Sequence, residues 1–168
     1  MDKFLIEENK DDIMIFLQDN LHEARTKTDI QAIIDLIVKI VFKFEANDQY
    51  FESIFFLLES KDQYITEAIL NNLMKLLSLE NSEFSEKLIG KLIAMISQWT
   101  LKSESIKANL LNIFTYNIDR ISSQYLFRIL QCVSINFKLE YNEIKSLMIN
   151  FAVALFEKFT NNVILLRL

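Results

Sequence analysis

The chain has 168 residues, just over half of them hydrophobic, and carries 18 basic against 23 acidic side chains for a formal charge of −5. That length can bury a core without metals or disulfides, and the acidic balance argues against a phosphate-binding footprint, which needs clustered Lys and Arg. There is no proline and a single glycine, Gly90, so the residues that most often break helices are nearly missing and an all-α domain spanning residues 1–168 is expected.

In chain order, the acidic opening Glu7, Glu8, Asp11 and Asp12 suits the first turn of a helix, where the dipole favours negative charge. Polar breaks at Asn20–Thr28, Ala46–Asp48, Ser60–Asp62, Glu80–Ser82, Thr100–Ser103, Asp119–Ser122 and Leu139–Asn142 then separate eight expected helices of about 12 to 20 residues. Thr28-Asp29-Ile30-Gln31 has the form of a capping box, and Ser103 and Ser122 offer hydroxyl caps. The helix holding Phe51, Ile54, Phe55, Phe56, Leu57 and Leu58 is apolar nearly all round, as expected of one sandwiched between neighbours. The longest uncharged apolar stretch near the end, residues 146–156, falls short of the roughly 20 residues that cross a bilayer. The last residues, Val163, Ile164, Leu165, Leu166, Arg167 and Leu168, are expected to cap the last hairpin or dock on another chain. No basic start precedes an apolar run, and Cys132 is the lone thiol, so an intracellular, cytoplasmic setting is expected.

The helices repeat. Met14, Phe51, Leu88 and Leu126 are spaced by 37 or 38 residues, and the same steps link Leu21, Leu58, Met95 and Val133. In the following helix they link Ala32, Ile69, Ile106 and Ile144, then Leu36, Leu73, Leu110 and Met148, then Ile40, Leu77, Phe114 and Ala152. Each unit is a helix, a short break and a second helix, with hairpins near residues 11–47, 48–84, 85–121 and 122–158. A single hairpin cannot bury its apolar face, so neighbours must cover it. The expected fold is four antiparallel hairpins stacked as a short right-handed α-solenoid, or else a compact helical bundle. Phe51, Phe55, Leu58, Leu73, Leu88, Leu92, Met95, Leu110, Phe114, Leu126, Leu130, Val133 and Met148 are the expected core.

This pattern resembles α-solenoid repeats of the HEAT and armadillo kind, and in its period the heptatricopeptide and octotricopeptide repeats of organellar RNA-binding proteins. The second helices also carry a polar ladder. Asp35, Asn72 and Asn109 share one column, and Lys75, Asn112 and Asn150 lie one turn further along. Armadillo repeats are similar here, and that resemblance implies side chains that hydrogen-bond the backbone of an extended peptide; a solvated polar face is the alternative. A narrower likeness lies in Leu88-Ile89-Gly90-Lys91-Leu92-Ile93-Ala94, which resembles the segment opening the central helix of B-cell-lymphoma-type apoptosis regulators, including viral ones. That resemblance implies that Gly90 admits a bound helix and that Lys91 pairs with an acidic ligand residue; otherwise Gly90 lets two helices pack closely.

Catalytic chemistry has little to build on. His22 is the only histidine, and Cys132 sits in an apolar run that suits a small buried hydrophobe. One Cys and one His cannot make a four-ligand zinc site, and one glycine cannot make a phosphate-cradling loop. Trp99, Phe114, Tyr116, Tyr125 and Phe137 lack the interleaved basic residues of a base-stacking platform. The expected function is therefore a non-enzymatic protein–protein interaction module or scaffold subunit that binds a peptide or helix in a groove, without cofactor or metal. The alternatives are an RNA-binding subunit and an apoptosis-regulator-like binder, and a protein partner or homo-oligomer is expected.

Overall fold

With almost nothing to interrupt it, the backbone coils wherever side-chain spacing lets it. The computed structural model describes residues 9–43, 48–77 and 82–165. Among these it forms eight α-helices and no strand: α1 (Lys10–Glu23), α2 (Lys27–Lys43), α3 (Asp48–Leu58), α4 (Gln63–Leu77), α5 (Ser82–Ile96), α6 (Glu104–Tyr116), α7 (Ser123–Asn136) and α8 (Asn142–Leu165). No described helix is long and apolar enough to cross a membrane.

Helix ends are made without left-handed residues, since no described residue has a positive φ. Glycine would normally close the last turn. Near three helix ends asparagine side chains bond back to the preceding turn, with the amides of Asn20, Asn117 and Asn136 donating to the carbonyls of Phe16, Ile113 and Cys132 at 2.7, 2.8 and 2.8 Å. Three ends also tighten into 3₁₀ turns at Trp99–Leu101, Ile118–Arg120 and Phe137–Leu139. At the starts, Ser103 Oγ accepts from the Ile106 N–H at 3.3 Å, as its position suggests. Ser122 occupies the N-cap of α7 but makes no side-chain capping bond. The capping box before α2 sits two residues earlier than expected. Thr26 Oγ1 accepts from the Asp29 N–H at 3.1 Å and donates to Asp29 Oδ2 at 2.7 Å, so α1 runs on to Glu23 and the break is short.

The chain groups into two compact units, residues 1–85 and 86–168, each holding two of the expected hairpins. In the first unit α2 packs on α1 and, most extensively, on α4, while α3 packs on α4. Lys27 meets Glu67 at 3.8 Å and the Tyr64 ring at 4.2 Å. Further along, Asn71 Nδ2 donates to Gln31 Oε1 at 3.3 Å and Asn72 Nδ2 to Asp35 Oδ1 at 2.7 Å. The partners climb both helices together, so α2 and α4 run parallel with residues 37 to 40 apart in contact. Phe51 stacks on Phe84 with ring centroids 4.1 Å apart, which ties α3 to the first turn of α5.

The second unit has the same plan. Lys107, early in α6, reaches Glu140 just before α8, and Lys158, late in α8, donates to the Ile118 and Ile121 carbonyls beyond the end of α6. Those two helices therefore run parallel. Phe127 at the start of α7 meets Phe159 late in α8, at 6.0 Å between centroids, whereas Lys145 early in α8 lies over the Phe137 ring after α7. So α7 and α8 form an antiparallel hairpin.

The expected core residues are buried, with Leu130 half-buried as the exception. Three column members differ, of which Ala152 is half-buried. Ala32 is exposed and Leu36 is 48% exposed, since among the described residues no second helix precedes α2. Nor is α3 buried all round, since Phe56 is 68% exposed.

Gly90 lies inside α5, and a methyl group placed there would meet no atom within 4 Å. Its lack of a side chain serves no close helix packing, which corrects that expectation. Gly90→Ala should raise stability by about 0.5–1 kcal/mol, because alanine in a helix loses less backbone entropy on folding. Urea denaturation checks this, and a loss of stability would contradict it.

Candidate functional site

The polar ladder of the second helices is only partly a surface. Asn72 is 4% exposed, and its amide donates to Asp35 Oδ1 at 2.7 Å and to the Ala68 carbonyl at 3.1 Å. Asp35 also accepts from Gln31 Nε2 at 2.7 Å. These amides hold α4 to α2, which corrects the reading of Asn72 as a peptide-facing residue. Buried amides must find partners, and here the neighbouring helix α2 supplies one. Asn109 is half-buried, whereas Asn112 and Asn150 are exposed. The side chains of Lys75, Val163, Ile164 and Leu165 lie outside the described residues, as do Leu166 and Leu168. Gly90 and Lys91 are both half-buried.

A buried polar cluster appears that the sequence did not single out. Glu140, 8% exposed, accepts from Trp99 Nε1 at 2.7 Å and from Lys107 Nζ at 2.8 Å. Lys107 also lies 5.5 Å from the centre of the Trp99 ring. The carboxylate has two donors and a matching charge, so the cluster joins three segments rather than presenting a reactive group.

Among the described residues two concave surfaces lie elsewhere, between first helices. In the first unit a groove of about 390 Å³ is lined from α1 by Gln18, Asp19, Leu21 and His22, and from α3 by Glu52, Ser53, Phe56 and Leu57. In the second unit a groove of about 320 Å³ lies between the end of α5 with its 3₁₀ turn and α7, where Ile93, Ile96 and Trp99 face Arg128, Gln131, Cys132 and Ile135. The two grooves are counterparts. Asp19 and His22 stand 74 residues before Ile93 and Ile96, and Ser53, Phe56 and Leu57 stand 75 before Arg128, Gln131 and Cys132. Two steps of the 37- to 38-residue sequence spacing thus separate two similarly placed grooves of different chemistry. The first has exposed acids, Asp19 and Glu52, beside the Phe56 ring; the second has exposed Arg128 beside Ile135, which is 67% exposed.

His22 is exposed on the wall of one groove and Cys132 is half-buried in the other. Burial pushes the Cys132 thiol above its ordinary range, and the Glu140 charge adds to this against the opposing effects of the Asn136 hydrogen bond and Lys107. Its S–H donates to the Ile96 carbonyl at 3.6 Å. A thiol held protonated is a poor nucleophile at neutral pH. Among the described residues no three His, Cys, Asp or Glu side chains gather as a metal site would require. The signal for the grooves was present in the sequence as Phe56, a large ring on the polar side of its helix, but a groove is made by two helices and no single segment displays it. No protein-family model, curated protein or solved structure matches this chain.

Proposed function

We propose that the chain is a non-enzymatic protein–protein interaction module that takes peptide segments in the grooves between its first helices. The observation that carries this reading is the pair of counterpart grooves, each with one large apolar side chain, Phe56 or Ile135, held out at its rim. Apolar anchors beside a few placed charges are what peptide grooves use for affinity and choice of partner. Asp19 and Glu52 in the first groove favour a segment with a basic residue next to an apolar one, and Arg128 in the second favours an acidic one. The mixed charge and the overall acidity set this reading above RNA binding. A reducing intracellular compartment suits the unpaired thiol of Cys132.

Selection from a displayed library of random peptides on the immobilised chain tests the proposal. Enriched peptides should combine an apolar anchor with charge opposite to one groove, and should lose at least about tenfold in affinity, roughly 1.4 kcal/mol, to Phe56→Ala or to Arg128→Glu. The Asn112→Ala, Asn150→Ala double variant should bind as the parent does. Peptides insensitive to both groove changes would overturn the assignment.

A further inference from the structure

The first and last of the second helices expose opposite faces. On α2 the residues Ala32, Leu36, Lys39 and Lys43 are exposed. Their counterparts on α8, 112 residues on, are Ile144, Met148, Phe151 and Leu155, and all four are buried. The converse also holds. Ile37 and Val41 of α2 are buried, as is Leu111 of α6, yet the α8 counterparts Ile149 and Val153 are each 51% exposed. Phe156 is 71% exposed where its counterpart Ile118, in the 3₁₀ turn after α6, is buried.

In α2 and α6 this face lies under the next second helix of the same unit, α4 and α8 respectively. On α8 it stands bare as a stripe at i, i+4 and i+7, the spacing of one helical face. A helix face that no neighbour covers normally carries polar residues. The α2 face meets that rule, with Lys39 and Lys43 where α8 has Phe151 and Leu155. The α8 face does not.

We infer that a second copy of this chain covers the α8 stripe, the two helices lying antiparallel about a two-fold axis at Val153. Three features favour this occupant. The stripe is symmetric about Val153, so antiparallel pairing sets Ile149 of each copy against Phe156 of the other, as an isologous interface requires. Residues 146–156 contain no charged side chain, so self-pairing brings no like charges into the contact, and the two Glu157 carboxylates stand about 12 Å apart along the axis. The same register places the exposed Asn150 beside the other copy's Glu157, where an amide can donate to a carboxylate. Pairing α8 with α2 of another copy would instead press Lys39 and Lys43 onto apolar surface, which desolvates two ammonium groups.

Light scattering during gel filtration, across a range of loading concentrations, reads the outcome. The full chain should approach twice its monomer mass as concentration rises. Val153→Glu should stay at monomer mass with an unchanged melting temperature, because the site is half exposed. Leu36→Glu should dimerise like the parent. In a Cys132→Ser background, Val153→Cys should form a covalent dimer on mild oxidation, as only a residue at the axis meets itself. A parent that remains monomeric at all concentrations would overturn the inference and leave the stripe to a different protein. Loss of association in Leu36→Glu would overturn it in favour of head-to-tail pairing, and failure of the Val153→Cys cross-link would overturn the two-fold geometry.

Discussion

Replacing Lys107 with methionine is expected to lower stability by about 3–5 kcal/mol, although the change removes a polar group and adds an apolar one of similar length. Glu140 sits with 6% of its side-chain surface exposed, and Lys107 with 11%. Among the described residues the ammonium is the one positive charge bonded to that carboxylate, at 2.8 Å, and Trp99 Nε1 supplies a second donor. Without Lys107 the carboxylate stays buried with one neutral donor, and the desolvation it suffered on folding is no longer offset. The pair as a whole is worth much less than this loss suggests, because two buried ions replaced by apolar groups of similar shape often leave stability unchanged. Lys107→Met combined with Glu140→Leu should therefore recover most of what Lys107→Met loses. Urea denaturation of the two single variants and the double variant measures this. A loss under about 1 kcal/mol for Lys107→Met would mean that water reaches Glu140.

Leu110→Ala should cost about 2–5 kcal/mol, the range for deleting three carbons from a packed site that relaxes only in part. Leu110 is 0% exposed in α6, flanked by Leu111 and Phe114, which are equally buried. Leu36 belongs to the same column and is 48% exposed, so Leu36→Ala should change stability by no more than about 0.5 kcal/mol. The contrast is the informative part. Equal effects at both sites would mean that the column has no inward and outward ends.

Much of the fold was legible because it depends on spacing. Met14, Phe51, Leu88 and Leu126 share a column and all are buried, as are Leu21, Leu58, Met95 and Val133. A residue that recurs at the same phase of successive helices meets the same neighbour each time, so one period fixes many contacts. The exceptions come from what periodicity leaves out. Leu36 has the right phase but, among the described residues, no second helix before it. Thr28 has the right chemistry for a cap, yet Thr26 reaches Asp29 first and α2 starts earlier. The Trp99, Lys107 and Glu140 cluster joins residues 33 and 41 apart in three separate segments, and a buried Glu has no sequence mark that distinguishes it from a solvated one. The ladder asparagines Asn72, Asn109, Asn112 and Asn150 have the chemistry of a face for a partner. Of these, Asn72 serves the chain itself by holding two helices together, and outside the ladder the amides of Asn20, Asn117 and Asn136 bond back to the preceding helical turn. An amide does both jobs equally well, and only the position of the next helix separates them. The grooves were hidden for the same reason, because each needs two first helices side by side.

In the proposed function the grooves between first helices are the place where a partner is held. Amide shift mapping of the labelled chain, titrated with a peptide selected on it, tests that most directly. Trp99 is the single tryptophan, so its indole N–H gives one resolved signal at the second groove, bonded to Glu140 and beside Ile96 and Arg128. The largest shifts should fall on Asp19, His22, Glu52 and Phe56 for a basic peptide, or on Ile93, Arg128, Ile135 and the Trp99 indole for an acidic one. Shifts gathered instead on Asn109, Asn112 and Asn150, with the groove residues and the indole unmoved, would contradict it and return the binding face to the second helices.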